Sequence, residues 1–143
     1  MKHSHKLAFT LLEILVVIAI IGILIAAGAT SYSTMGKISR DTRRKADLEQ
    51  IRSALEMYRS NDVNSSYPLT NPGLAALLNS PKYLETAITD PKSGTPYKYT
   101  SASGSDYTLS TYLEIPGTVV CDGATCGDGS QNCTYCLGPY GKK

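Results

Sequence analysis

"KLAFTLLEILVVIAIIGILIAAGA", residues 6 to 29, decides how the rest of the chain is read. Its run of about 20 apolar residues matches the hydrocarbon thickness of a bilayer. It also exceeds the apolar core, about 7 to 15 residues, of a cleaved secretory signal, although Ala26 to Ala29 would suit a conventional cut. Lys2 and Lys6 precede the run. By the positive-inside rule they keep the amino terminus in the cytoplasm and send everything after residue 30 outward. Within the run stands Glu13. On insertion scales an aspartate at a helix centre costs about 2.5 to 3.5 kcal/mol, so a carboxylate here calls for a partner and a purpose.

Outside this segment the chain is small and evenly charged. Of 143 residues, those from Phe9 onward include 12 basic and 12 acidic side chains. The only basic cluster, Lys37, Arg40, Arg43, Arg44 and Lys45, is interrupted by acids at 41, 47 and 49. It reads as a solvated helix face with intrahelical and intersubunit ion pairs, and a nucleic-acid partner is disfavoured. His3 and His5 are the only histidines, which leaves the chain after the leader without one for acid-base work. No catalytic set is expected.

Beyond Ala29 the first strong helix breakers come at Asn61 to Pro68. Charged pairs at i, i+4 recur: Asp41 with Lys45, Arg43 with Asp47, Lys45 with Glu49, Arg52 with Glu56. A single helix from about Phe9 to about Ser60 follows, on the order of 75 Å long at 1.5 Å per residue. Leu48, Ile51, Leu55 and Tyr58 give its outer half one apolar stripe. Thr70 or Asn71 would cap a short helix beginning at Pro72 with the body "GLAALLN". "YKYT" and "YTLSTYLE" read as strands joined by a "SASGSD" turn.

The tail is set apart by its cysteines, Cys121, Cys126, Cys133 and Cys136. Beyond a membrane segment the compartment is oxidising, so two structural disulfides are expected, with all three connectivities open. Zinc would want tighter knuckles, and the "CTYC" stretch lacks the βαβ surroundings of a thiol oxidoreductase. Asp122 and Asp128, each followed by glycine, are candidate calcium ligands, against the commoner reading of Asp-Gly turns.

With these residues in view, "AFTLLEILVVIAIIGILIA", Ala8 to Ala26, resembles the class III signal of type IV prepilins. "ALEMYRSNDVNSSYPLTNPGLAALL" and "DPKSGTPYKYTSASGSDYTLSTYLE" are similar to the major pseudopilin of type II secretion systems and to related pilins. The resemblance covers about Lys6 to Glu114 and leaves the cysteine tail outside. It implies the α+β pilin fold: a long N-terminal helix, membrane-spanning in its first half, packed on a small antiparallel sheet, with a disulfide-pinned C-terminal loop. The implied domains are a leader over 1–8, a transmembrane and filament-core helix over 9–30, and an extracytoplasmic globular part over 31–143. The last would hold helix 31–60, short helix 72–79, strands at about 97–100 and 107–114, and the cysteine-rich tail 116–143.

The resemblance further implies a structural subunit, cut between Ala8 and Phe9 by a prepilin peptidase, N-methylated on Phe9, and polymerised into a type IV pilus or type II secretion pseudopilus. Glu13 of one subunit would neutralise the Phe9 ammonium of a neighbour. The implied partners are further copies of the chain, the prepilin peptidase, the inner-membrane assembly platform, other minor pilins, and membrane lipid before assembly. The family holds calcium in its C-terminal loop, but no cofactor is otherwise implied. The competing readings are a minor or specialised pilin for DNA uptake or adhesion and a membrane-tethered dithiol oxidoreductase.

Overall fold

The computed structural model describes residues 9–115, 121, 124–126, 129 and 131–143. The chain divides into two compact units, Met1–Gly36 and Lys37–Lys143. One helix, α1 (Leu11–Asn61), contributes to both.

In the first unit the stretch Leu11–Gly28 has a mean hydropathy of 2.9, and none of it is buried against protein. By length and composition it is fit to cross a membrane. Residues such as Leu11, Ile18 and Ile25 stand with most of their surface uncovered.

In the second unit α1 turns one stripe inward. Leu48, Ile51, Ala54 and Leu55 are buried, and Tyr58 is half-buried against the same cluster. Burying a leucine or isoleucine side chain contributes about 1.5 to 3 kcal/mol. This stripe therefore fixes which face of the helix meets the sheet. The helix ends where the Asp62 carboxylate accepts hydrogen bonds from the backbone N–H groups of Asn64 and Ser66 and from the Ser66 hydroxyl, at 2.8 to 3.1 Å. A side chain that holds the following turn offers the backbone an alternative to another helical turn.

The sheet has four antiparallel strands in the order β1-β2-β5-β6: β1 is Lys98–Thr100, β2 Thr108–Thr111, β5 Tyr135–Gly138 and β6 Gly141–Lys142. A separate two-stranded ribbon pairs β3 (Thr125–Cys126) with β4 (Gln131–Asn132). In the main sheet Tyr99 lies opposite Leu109, and Leu109 opposite Leu137. These three face the helix stripe within one core, joined there by Tyr67, Tyr97 and Tyr107. The rings of Tyr67 and Tyr107 meet edge to face at 4.6 Å, a favoured arrangement of aromatic quadrupoles. Gly104, at φ +74°, turns the β1–β2 connection, and its carbonyl accepts the Tyr67 N–H at 2.8 Å. A Cβ there would meet Ser66 and the Tyr67 carbonyl at 3.1 Å, so this close approach is reserved for glycine.

Three expectations need correction. The segment Gly73–Leu78 is a 3-10 helix, and Pro72 occupies its cap position with no side-chain cap. Thr70 cannot serve, because its hydroxyl donates to the Ser101 carbonyl and accepts the Ser101 N–H, both at 2.9 Å. Strand β2 ends at Thr111 rather than running to Glu114. The next N–H groups are taken by side chains: Leu113 donates to Thr134 Oγ1, and Glu114 and Ile115 donate to the Asp41 carboxylate. Finally, the tail does more than form a pinned loop, since it also supplies two of the four main strands.

Candidate functional site

The first turn of α1 builds the N-terminal site. Thr10 donates its backbone N–H and its hydroxyl to Glu13 Oε2, at 2.8 and 2.9 Å. In return Thr10 Oγ1 accepts the Glu13 N–H at 3.3 Å. This reciprocal arrangement is a capping box, and the pattern Thr-x-x-Glu at residues 10–13 carries its sequence signature, which a reading focused on the carboxylate's cost passes over. Glu13 therefore also satisfies donors at the positive end of its own helix. Phe9 beside it is exposed. Ala8, the other half of the expected cut, lies outside the described residues.

In the second unit the basic cluster is less solvated than its composition suggests. Arg44 is buried, and its guanidinium is shared among three carboxylates. It donates to Asp90 at 2.6 and 3.2 Å, to Asp41 at 2.7 Å and to Glu114 at 3.1 Å. Arg40 grips Glu114 with two parallel bonds of 2.6 and 2.8 Å, the geometry in which arginine binds carboxylate best. Asp41 in turn accepts the N–H groups of Glu114 and Ile115. One helical turn thus latches α1 to the loop at Asp90 and to the chain leaving β2.

None of the four expected i, i+4 pairs forms. Other partners claim the acids: Asp41 and Glu49 pair at i, i+3 with Arg44 and Arg52, while Asp47 and Glu56 accept the hydroxyls of Tyr97 and Tyr67 from outside the helix. The electrostatics follow. The Arg40 hydrogen bond brings Glu114 down to about 2 against the cost of burial, with Arg44 assisting. Burial opposes the Asp90 charge, yet the Arg44 bond and the N–H groups of Ser93 and Lys92 bring it down to about 2.

The cysteine tail forms two nested bridges, Cys121–Cys136 around Cys126–Cys133, with Cα–Cα separations of 5.9 and 5.1 Å. The two cysteines of the "CTYC" stretch therefore belong to different bridges. That removes the dithiol pair on which an oxidoreductase reading would depend. Among the described residues no group of His, Cys, Asp or Glu is placed to hold a metal ion. Asp122 and Asp128, the candidate calcium ligands, lie outside the described residues, as do His3 and His5.

Comparisons with known proteins fall on the same segments. Residues 3–29 match the model of the prokaryotic N-terminal methylation motif, and residues 33–113 match that of type II secretion system protein G. The chain is 40% identical over 96 residues to the type II secretion system core protein G of Klebsiella michiganensis, covering 66% of this chain and 65% of that one. It is 34% identical over 111 residues to the protein of the same name from Pseudomonas aeruginosa, covering 69% and 76%. For the Escherichia coli protein the figures are 43% over 75 residues, 51% and 49%. The chain thus spans less than two thirds of the Klebsiella michiganensis relative's length. No solved structure matches. The second match alone takes in more than half of the sequence and ends just where the cysteine tail begins to depart, so the chain belongs to the type II secretion system protein G family.

Proposed function

We propose that this chain is the precursor of a pseudopilin subunit that polymerises into the pseudopilus of a type II secretion system. The leader over residues 1–8 is removed between Ala8 and Phe9 by a prepilin peptidase, and the new amino terminus at Phe9 is methylated. Residues 9–30 anchor the subunit in the inner membrane, with the amino terminus cytoplasmic and the part from residue 31 outside. Assembly then transfers the apolar helix from lipid to a filament core of identical helices, with the assembly platform and minor pilins as further partners. The chain's role is structural, with no catalytic step and no cofactor.

One observation carries this reading. The methylation motif at residues 3–29 coincides with a helix whose apolar side chains are uncovered and whose first turn holds a lone carboxylate. Such a surface requires lipid or other copies of itself. The Glu13 carboxylate suits pairing with the Phe9 ammonium of a neighbour, which turns two costly charges into one pair and sets axial register. The DNA-uptake alternative loses ground because Arg40 and Arg44, at the centre of the basic cluster, are committed to carboxylates.

Mass spectrometry of the mature protein tests the proposal. Loss of residues 1 to 8 with one added methyl on Phe9 is the expected result. A cut after Ala26 or Ala29 would sink it.

A further inference from the structure

Strand β5 has two faces held by different means. Leu137 lies in the main core with Tyr135 beside it, whereas Cys136 between them points into a second cluster made of the four cysteines. Between β2 and β5 run residues 112–134, where the regular structure among the described residues is the ribbon of two-residue strands β3 and β4. A ribbon that short is not stable alone. The two ends of this excursion are hydrogen-bonded, Leu113 to Thr134 Oγ1 and Thr134 to the Thr111 carbonyl, and its distal part is tied by the two bridges, the outer of which has one end in β5 itself. The inner bridge sets up the outer one. Cys133 donates its N–H to the Ala124 carbonyl, and its own carbonyl accepts the Cys121 N–H, which brings residue 121 back beside the strand.

The placement of β5 and β6 in turn covers the helix. Leu137 packs in one cluster with Leu48, Ile51 and Leu55, and Arg52 donates to the Pro139 carbonyl at 2.8 Å. The outer bridge therefore ties the excursion to the strand that covers the helix stripe, a strand that also ladders to β2.

We propose that oxidation of this tail by an extracytoplasmic disulfide donor licenses the subunit for assembly: the anchored chain with four thiols lacks a docked β5–β6 and does not enter a filament. The proposal rests on the pseudopilin reading above and adds to it a chemical gate and a partner class. In each oxidation a cysteine thiolate attacks the donor disulfide, forming a mixed disulfide and releasing one donor sulfur as thiolate. The second cysteine, losing its proton, displaces the other. Two electrons pass to the donor, which leaves as a dithiol, and two donor disulfides are consumed per subunit. The inner pair, 7 residues apart against 15 for the outer, closes first because the shorter loop costs less entropy. Premature pairing of Cys133 with Cys136 would block both native bridges.

The test follows thiols in the full chain expressed in its membrane. Cells synthesise the subunit under dithiothreitol, then synthesis is stopped and the cells are chased into oxidised glutathione. Free thiols in the membrane and filament fractions are tagged with a maleimide of known mass. The expected result is a processed, thiol-bearing membrane pool without filaments, which moves during the chase into filaments whose subunits take no tag. The double variant C121S/C136S should remain in the membrane throughout. Filaments made of tagged subunits would overturn the gate, as would wild-type yield from that variant, or degradation of the pre-made pool in place of its transfer. If the fully oxidised wild-type chain formed no filaments, the pseudopilin reading itself would fall, an outcome distinct from failure of the gate.

Discussion

Two charged side chains concentrate the chemistry of this molecule, one buried in the globular unit and one in the first turn of the apolar helix. Arg44 holds Asp41, Asp90 and Glu114 around one guanidinium. Arg44→Ala would leave Asp41 and Asp90 without their guanidinium partner, beside a Glu114 that keeps Arg40. We expect a loss of about 3 to 5 kcal/mol in the denaturant-unfolding free energy, as for one partner removed from a buried ion pair. Lys92, exposed and 3.4 Å from Glu114, is a control whose removal should change stability by less than about 1 kcal/mol. Glu13 is the other charge. On the pseudopilin reading Glu13→Ala makes the anchor more apolar, so insertion and the globular unit persist. Filaments should be absent or few in electron micrographs while processed subunit accumulates, because the Phe9 ammonium would be buried unpaired at about 3 to 5 kcal/mol. Glu13→Gln should fall between the two.

Among the elements, the latch between α1 and the chain around Asp90 and Glu114 sets a pH limit. Both carboxyls are held at about 2, below their ordinary values of 3.8 and 4.5. A carboxyl with a depressed folded pKa contributes stability above its unfolded pKa and loses it as pH falls toward the folded one. Stability should therefore be flat above about pH 5 and fall between about pH 4.5 and 2. Asp90→Asn should flatten part of that slope. The tail sets a second limit, since reduction of the bridges should cost on the order of 2 to 4 kcal/mol each, more for the outer one. How far these elements could be read in advance depended on how local their causes are. The apolar run and the stripe from Leu48 to Tyr58 are periodic, and periodicity is visible in sequence. The join of β5 to β2 was not legible: "YCLG" is short, its partner lies far away in the chain, and its inward leucine alternates with a bonded cysteine. The latch escaped for a similar reason. Asp41 and Arg44 look like helix-surface charges until the chain at 90 and 114 arrives beside them. Thr10 and Glu13 are the converse case, because the capping box is local and its pattern was there to be found.

At the scale of the whole molecule, burial and exposure divide along the chain. Every buried residue among those described lies at or beyond Asp41, and the large apolar side chains before it are open. A chain beginning at Lys37 and oxidised in its tail should therefore be soluble and unfold at a denaturant midpoint close to that of the full chain in detergent. Aggregation or a strongly lowered midpoint would show that residues before Lys37 contribute to the core. The tyrosine core of that unit has an optical consequence. The sequence has ten tyrosines, one phenylalanine and no tryptophan, and Tyr67, Tyr97, Tyr99 and Tyr107 are buried. With no indole to drain their excitation, the phenols are the chain's only strong near-ultraviolet chromophores. Burial pushes Tyr99 up to about 12, and Tyr97 and Tyr107 higher still. In an alkaline titration these core rings should withhold their phenolate absorbance until the unit opens, so that an absorbance trace reports the opening of the interior without any label attached.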